Sequence, residues 1–146
     1  MSAEELKATI RRVAEGTYNR GDLVAMDECY SAEFIYHRVP LPDIVGLEAY
    51  KRAIIDVRNS FSDVQLRFDE IIIEGDVIAT RWTFGGKHLG QSPTIPIPPT
   101  NKQVTITGCS VTHTVGGKAL EEWNYADWLG FFQQLGVVPP LELGGK

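Results

Sequence analysis

Hydrophobic residues recur with a helical period in the first third of the chain. After Ser2, which forms a capping box with Glu5, apolar positions repeat every three to four residues and predict a helix that ends near Gly21. Asp22 is predicted to cap a shorter second helix. A buried stripe within residues 47–60 predicts a third helix. The N-terminal part of the chain is therefore expected to be helical.

The rest of the chain alternates between apolar and polar residues with a period of two, which is typical of β-strands. A short strand is predicted at residues 34–38, and the stretch up to Gly46, which contains Pro40 and Pro42, is predicted to be a loop. Residues 85–101 are rich in glycine and proline and are predicted to form a lid over a pocket mouth. The longer strands, joined by glycine turns, are predicted at 64–73, 77–84, 102–115 and 118–125.

The last strand and the helix after it bring polar side chains to the junction between a sheet and a helix. Alternation places Leu120, Glu122 and Asn124 on one face of the strand, opposite a face formed by Ala119, Glu121, Trp123 and Tyr125. A helix is predicted to begin at Ala126-Asp127 and to end at Gly136. Such a junction is a common place for a buried pocket.

Helices followed by a long antiparallel meander predict an α+β fold. We expect a cone-shaped, curved, mixed or antiparallel sheet with three helices from the N-terminal half packed on its concave side. Residues 1–138 are expected to form a single domain, followed by a C-terminal tail at 139–146.

The amino-acid composition argues against some classes of binding partner. The formal net charge is -5 with no basic stripe, which argues against nucleic acid and anionic membranes as partners. No apolar run is long enough to span a bilayer, and the acidic N-terminus lacks a signal-peptide core, so a cytoplasmic location is expected. Cys29 and Cys109 lie far apart and are expected to be buried and reduced.

Four titratable side chains are candidates for catalysis, and each has a structural alternative. His37, on the first strand, and His88, before the predicted lid, are either functional or structural, and His113 near a turn is expected to be solvated. Glu122 faces inward and would have a raised pKa if buried, or it pairs with an arginine such as Arg81. Asp127 is either catalytic or a helix N-cap. Their spacing fits no metal motif.

Several motifs resemble the SnoaL-like polyketide cyclase family over roughly residues 5–138. They are Trp82-x-Phe84-Gly85-Gly86-Lys87-His88-Leu89-Gly90, Pro98-Pro99-Thr100-Asn101-Lys102, Gly117-Lys118-x-x-Glu121-x-Trp123-Asn124-x-x-Asp127 and Gln134-Leu135-Gly136. Tyr18-Asn19-x-Gly21-Asp22 and Phe34-x-Tyr36-His37 agree with the same pattern.

The resemblance implies the cone fold of nuclear transport factor 2 and ketosteroid isomerase, often a homodimer through the outer face of the sheet. It also implies cofactor-free, intramolecular aldol closure of a hydrophobic, polyketide-like ligand by a carboxylate that removes and returns a proton. The residues expected to line the ligand pocket are Tyr18, Phe34, Tyr36, Ile54, Trp82, Phe84, Ser110 and Trp123.

One position departs from the family. The aspartate that the cyclases carry directly after the tryptophan is Asn124 here, and an amide cannot hold a proton at neutral pH. The proton-transfer role of that aspartate is then taken by another residue, namely Glu122, Asp127, His37 or His88, or the protein catalyses a different reaction. In the first case, Asn124 would donate a hydrogen bond to an enolate oxygen. The alternatives are a non-catalytic binding protein of the same fold and a cyclase-related hydroxylase.

Overall fold

The computed structural model describes residues 2–144, which form four helices packed against one six-stranded sheet. The strand order is β2-β1-β6-β5-β4-β3, with β1 and β6 parallel and all other neighbours antiparallel. The predicted α+β fold with a curved sheet is confirmed. The elements in chain order are α1 (Ala3–Arg20), α2 (Met26–Cys29), β1 (Tyr30–Arg38), β2 (Leu41–Val45), α3 (Leu47–Ser60), β3 (Phe61–Glu74), β4 (Val77–His88), β5 (Gln103–Val115), β6 (Lys118–Ala126) and α4 (Trp128–Leu135).

Helix α1 is capped at both ends, as its sequence predicts. The Ser2 hydroxyl accepts a hydrogen bond from the Glu5 backbone N–H at 3.1 Å, and the Glu5 carboxylate accepts one from the Ser2 N–H at 3.1 Å. Gly21 follows the helix in the left-handed conformation with φ 73°. The side chain of Asn19 bonds both the N–H and the C=O of Leu66, at 2.6 and 3.1 Å, and so fixes α1 against β3.

Asp22 does not cap the second helix as predicted. The Asp22 backbone N–H bonds the Gly16 carbonyl at 3.2 Å, and its own carbonyl accepts from the Thr17 hydroxyl at 3.2 Å. Asp22 therefore completes the end of α1, and α2 begins four residues later at Met26. Because α2 is so short, β1 begins at Tyr30 rather than at residue 34.

The stretch predicted to be a loop after β1 is instead the strand β2. It pairs antiparallel with β1, with Tyr36 opposite Ile44. Pro42 lacks a backbone donor, but β2 is the edge of the sheet, where a missing donor costs no ladder hydrogen bond.

Strand β4 continues four residues beyond its predicted end at Phe84. Gly85 and Gly86 stay within the sheet, and a Cβ on Gly86 would lie 3.1 Å from the Cβ of Phe61 on β3. Glycine here permits a close approach between strands rather than a turn. The loop that was predicted to act as a lid is therefore shorter, at residues 89–102, and its Ile95 is buried in the core.

A bulge interrupts the alternation predicted for β6. His113 pairs with Glu121 while Thr114 pairs with Ala119, so Leu120 is an extra residue. Ala119 is consequently buried and Leu120 is 36% exposed, the reverse of the predicted faces. After the bulge, Glu122 and Asn124 face inward as predicted.

The described helices include none with the length and hydrophobicity to cross a membrane.

Candidate active site

A mostly apolar cavity of about 210 Å³ lies between the inner face of the sheet and helices α1, α3 and α4. This far exceeds the ~10–15 Å³ that one water molecule needs, so an organic ligand has room. Strand alternation brings the polar groups inward, because every second residue of β1, β4, β5 and β6 faces the cavity. The polar and charged side chains in its wall include Tyr18, Tyr30, Tyr36, Arg38, Tyr50, Thr80, Trp82, Ser110, Thr112, Glu122 and Asn124.

Glu122 is a carboxyl group enclosed in this wall. Its neighbours across the sheet are Thr112 on β5 and Tyr36 on β1. Burial raises the pKa of Glu122 to about 7, although hydrogen bonds from Ser110 and Thr112 act in the opposite direction. The alternative pairing with Arg81 is wrong, because Arg81 lies on the outer face and pairs with acidic residues there. At neutral pH, Glu122 is able both to accept and to return a proton.

Four tyrosine hydroxyls surround the same region. The hydroxyl oxygens of Tyr18 and Tyr50 lie 3.1 Å apart. Burial raises the pKa of Tyr18 to about 12 and raises the pKa values of Tyr30, Tyr36 and Tyr50 well above 10, and the Glu122 charge acts in the same direction. All four therefore remain neutral hydrogen-bond donors near neutral pH.

Asn124 has a fixed orientation in the cavity wall. Its side-chain oxygen accepts a hydrogen bond from the Trp82 indole N–H at 2.9 Å, and the residue is 4% exposed. With the oxygen engaged, the amino group is the part of the amide left to donate. On the neighbouring strands, the Thr80 and Ser110 hydroxyls are joined at 2.6 Å.

The structure brings seven of the predicted site residues together at this cavity. Of the catalytic candidates, Glu122 and Asn124 lie in the cavity wall. The predicted pocket residues that line it are Tyr18, Tyr36, Trp82, Phe84 and Ser110. Phe34 and Ile54 are instead fully buried behind the wall, at 0% and 1% exposure, in the aromatic and aliphatic cluster that supports β1 and α3.

His37 does not face the cavity, contrary to the prediction. It follows Tyr36 and so points to the opposite face of β1, where its ring lies 2.6 Å from the Glu121 carboxylate and 3.1 Å from that of Asp43. The hydrogen bond to Glu121 raises the pKa of His37, and the ring stacks on Trp123 at 5.2 Å. Trp123 is thus also on the outer face, where exposed His113 packs against it edge-on.

His88 is fully buried but lies outside the cavity wall. Its Nδ1 accepts from the Thr100 backbone N–H at 3.3 Å and lies 3.1 Å from the Thr100 hydroxyl, while the ring packs on Phe61. Burial lowers the pKa of His88, so the ring is neutral at pH 7. These contacts give His88 the structural role of holding the two ends of the 89–102 loop together.

Asp127 adopts its predicted structural alternative. It is exposed, and its carboxylate accepts a hydrogen bond from the Gly130 N–H at 2.9 Å as the N-cap of α4. Its side chain does not line the cavity.

The cavity residues that were not predicted from the sequence include Tyr30, Tyr50 and Arg38. Tyr30 is the first residue of β1, which begins earlier than predicted, and Tyr50 lies on α3, for which the sequence predicted only a buried stripe. Arg38 shares the inward face of Tyr36, two residues away. The two-residue period of β1 was the available signal for Arg38, which lies two residues after Tyr36, whereas an irregularity in the β1–β6 pairing between Tyr30 and Ile35 interrupts this period before Tyr30.

The two cysteines are free but not both buried. Cys109 is exposed on the outer face of β5, whereas Cys29 is half-buried and burial raises the pKa of its thiol. Within residues 2–144, no group of three or more His, Cys, Asp or Glu side chains has a geometry for holding a metal ion.

The curved six-stranded sheet, packed against helices with a mostly apolar cavity between them, defines a protein of the nuclear transport factor 2-like fold class. Residues 8–135 match the SnoaL-like polyketide cyclase family, and the chain belongs to that family.

Two relatives are aklanonic acid methyl ester cyclases. DauD from Streptomyces sp. (strain C5) is 27% identical over 146 residues, covering 94% of this chain and 85% of its own. DnrD from Streptomyces peucetius is 25% identical over 144 residues, covering 94% of both chains. In fold, the chain is similar to TsrD from Streptomyces laurentii, with a TM-score of 0.83, 24% identity and coverage of 94% of this chain and 99% of that one.

Proposed function

We propose that this protein closes a ring within a hydrophobic, polyketide-like substrate by acid-base catalysis without a cofactor, and that Glu122 transfers the proton. Membership of the cyclase family supports this reaction class, as do the two relatives named as methyl ester cyclases. The observation that carries the proposal is the Glu122 carboxyl, which lies in the wall of a mostly apolar cavity beside the hydroxyls of Ser110 and Thr112.

The proposed reaction conserves all atoms. The Glu122 carboxylate removes a proton from the carbon between two carbonyl groups, which leaves an enolate. The enolate carbon then attacks a ketone carbon of the same molecule, so that a carbon–carbon bond forms and the ketone oxygen becomes an alkoxide. Protonated Glu122 returns the proton to that oxygen. A pKa near 7 suits a group that must act in both directions.

Asn124 has a different role in this proposal from the aspartate that the family carries at its position. Trp82 holds the amide oxygen, which leaves the amino group to donate to the developing enolate oxygen. The proton-transfer group has moved two residues back along β6, to the next position on the same face.

The test is to compare wild type with Glu122→Gln on aromatic β-keto esters that carry a second ketone in the same molecule. We expect the variant to lose at least about a hundredfold in kcat, since general acid-base catalysis contributes typically 10²–10⁴-fold. Binding, measured by calorimetry, should change little. Glu74→Gln, which removes an exposed carboxylate, is the matched control.

The other outcomes separate the alternatives. Full turnover by Glu122→Gln would refute the assigned role. Ligand binding by wild type without turnover would favour a binding protein. The mass of the product distinguishes a hydroxylase, because hydroxylation adds an oxygen atom whereas ring closure leaves the mass unchanged.

We also propose a homodimer formed through the outer face of the sheet, in a cytoplasmic protein that binds neither nucleic acid nor membranes. This face exposes Val111 (38%) and Tyr125 (58%) beside Trp123, and the net charge is -5. Analytical ultracentrifugation of wild type and Tyr125→Glu tests the dimer, and a purely monomeric wild type would refute it. Cell fractionation tests the location.

A further inference from the structure

The indole N–H of Trp128 is an enclosed hydrogen-bond donor without an acceptor. Within residues 2–144, the enclosed side-chain nitrogen and oxygen atoms that have no hydrogen-bond partner are Trp128 Nε1 and His88 Nε2. Trp128 lines the cavity, whereas His88 lies outside its wall. Because buried donors in folded proteins are nearly always paired, an unpaired donor on a cavity-lining residue is suited to an acceptor atom of a ligand.

The aromatic neighbours of Trp128 offer its N–H no strong acceptor. Phe131 packs edge-on against the indole with the ring centroids 5.5 Å apart, and Phe132 stacks on it at 6.1 Å. An aromatic ring accepts a hydrogen bond only weakly. Trp82, which also lines the cavity, differs because its N–H already bonds Asn124 at 2.9 Å. Of these two tryptophans, Trp128 is therefore the one whose donor is available to a ligand.

Trp128 and Glu122 belong to different ends of the cavity. The Glu122 charge helps to raise the pKa of Tyr36, which packs on the core cluster that contains Phe34. Trp128 packs on the other core cluster, which contains Phe131. One end of the cavity therefore carries the carboxyl and tyrosine hydroxyls, and the other end is apolar apart from the indole N–H.

The course of β6 gives the scale of this separation. Glu122, Asn124 and Ala126 are successive inward positions, and Trp128 begins α4 two residues after Ala126. Since a strand rises about 3.3 Å per residue, the backbone at Glu122 and at Ala126 is about 13 Å apart. An acceptor at Trp128 would therefore belong to a part of the ligand several bonds away from the carbon that Glu122 deprotonates.

We propose that the Trp128 indole N–H donates a hydrogen bond to a carbonyl oxygen on the ring system of the substrate, at the end remote from Glu122. The inference rests on the proposed function in taking this cavity as the substrate site. The contact favours neutral, ring-containing esters and ketones with an acceptor at each end over analogues in which carbon replaces the remote oxygen. A site with an enclosed donor discriminates against a ligand that leaves the donor unpaired.

The experiment measures the binding of two neutral probes of the same shape, methyl 6-acetyl-2-naphthoate and methyl 6-isopropenyl-2-naphthoate, by calorimetry. The first carries a carbonyl group at each end, so either orientation brings one towards Trp128, whereas the second carries one carbonyl group only. We expect wild type to bind the ketone about tenfold more tightly, as for one hydrogen bond to an enclosed donor. Trp128→Phe should reduce the preference to about twofold or less, because its ring has no donor.

A second readout follows the donor itself. In proton–nitrogen NMR, the three tryptophans give three indole resonances, and the spectrum of Trp128→Phe identifies the one that belongs to Trp128. Saturation with the ketone should move the Trp128 indole proton to lower field, as a new hydrogen bond does. An indole proton that does not move to lower field at saturation would overturn the proposal.

Trp123→Phe is the matched control, since it removes an indole N–H from the outer face of the sheet and should keep the full preference. Equal affinity of wild type for the two probes, or no measurable binding of the ketone, would also overturn the proposal. A preference that persists in Trp128→Phe would do the same, because it would indicate that the indole only fills the wall. Glu122→Gln separates this inference from the proposed function: full turnover in that variant refutes the catalytic role whatever Trp128→Phe shows.

Discussion

Replacement of Glu122 by glutamine should make stability less dependent on pH. The enclosed carboxyl has its pKa raised by burial from 4.5 to about 7. Between these values the folded protein binds more protons than the unfolded chain, so the free energy of unfolding falls as pH rises through this window and levels off above it. Glutamine has no proton to lose, and the variant lacks this decline.

The magnitude follows from the difference between the two pKa values. A difference of roughly 2.5 pH units, at about 1.4 kcal/mol for each, gives about 3 kcal/mol. We therefore expect the stability of Glu122→Gln relative to wild type to increase by about 3 kcal/mol between about pH 4 and pH 8. This is a substantial part of the 5–15 kcal/mol that is typical of a folded domain.

The assay is equilibrium unfolding in guanidinium chloride at intervals of about one pH unit, with wild type, Glu122→Gln and Glu74→Gln measured side by side. Glu74 is exposed, so its variant controls for the loss of one negative charge. A stability difference between Glu122→Gln and wild type that stays constant with pH would refute the reasoning, since it would mean that folding does not perturb the carboxyl.

Three further predictions test one residue of the cavity wall and two residues outside the cavity. Trp82→Phe removes the N–H that holds the Asn124 oxygen at 2.9 Å and should cost about 1–3 kcal/mol in unfolding free energy together with part of kcat. Asp127→Ala removes the cap of α4 and should cost about 1 kcal/mol without changing turnover, whereas a large loss of kcat would restore Asp127 as a catalytic candidate. His37→Gln should destabilise the protein at about pH 5.5 and much less at about pH 9, because the raised pKa of His37 beside Glu121 stabilises only below that pKa; equal effects at both pH values would contradict this.

The parts of the fold that depend on local periodicity could be predicted from the sequence. Helix α3 begins and ends where its apolar stripe does, and the caps at Ser2 and Gly136 were identified from residue type. These features depend on backbone hydrogen bonds within a few residues, which local sequence determines.

The wrong predictions of secondary structure lie where contacts with residues distant in sequence determine the structure. Pro42 and Gly85 look like loop residues, but one lies on a sheet edge and the other inside a strand, and only the strand order distinguishes these places. The bulge at Leu120 depends on pairing with β5, which alternation along β6 alone cannot reveal.

The candidate site was predicted in part for the same reason. Glu122 and Asn124 lie beyond the bulge, where alternation holds, and both reach the cavity. The assignment of His37 to the cavity failed because Tyr36 already occupies the inward position, and adjacent strand residues point to opposite faces.

The most direct test of the central claim is the titration of Glu122 itself. Carbon-13 NMR of the glutamate side-chain carboxyls, with Glu122→Gln used for assignment, should show one resonance with a midpoint near pH 7 that is absent from the variant. A Glu122 midpoint near 4.5, as for a solvated glutamate, would contradict an enclosed carboxyl that exchanges protons at neutral pH.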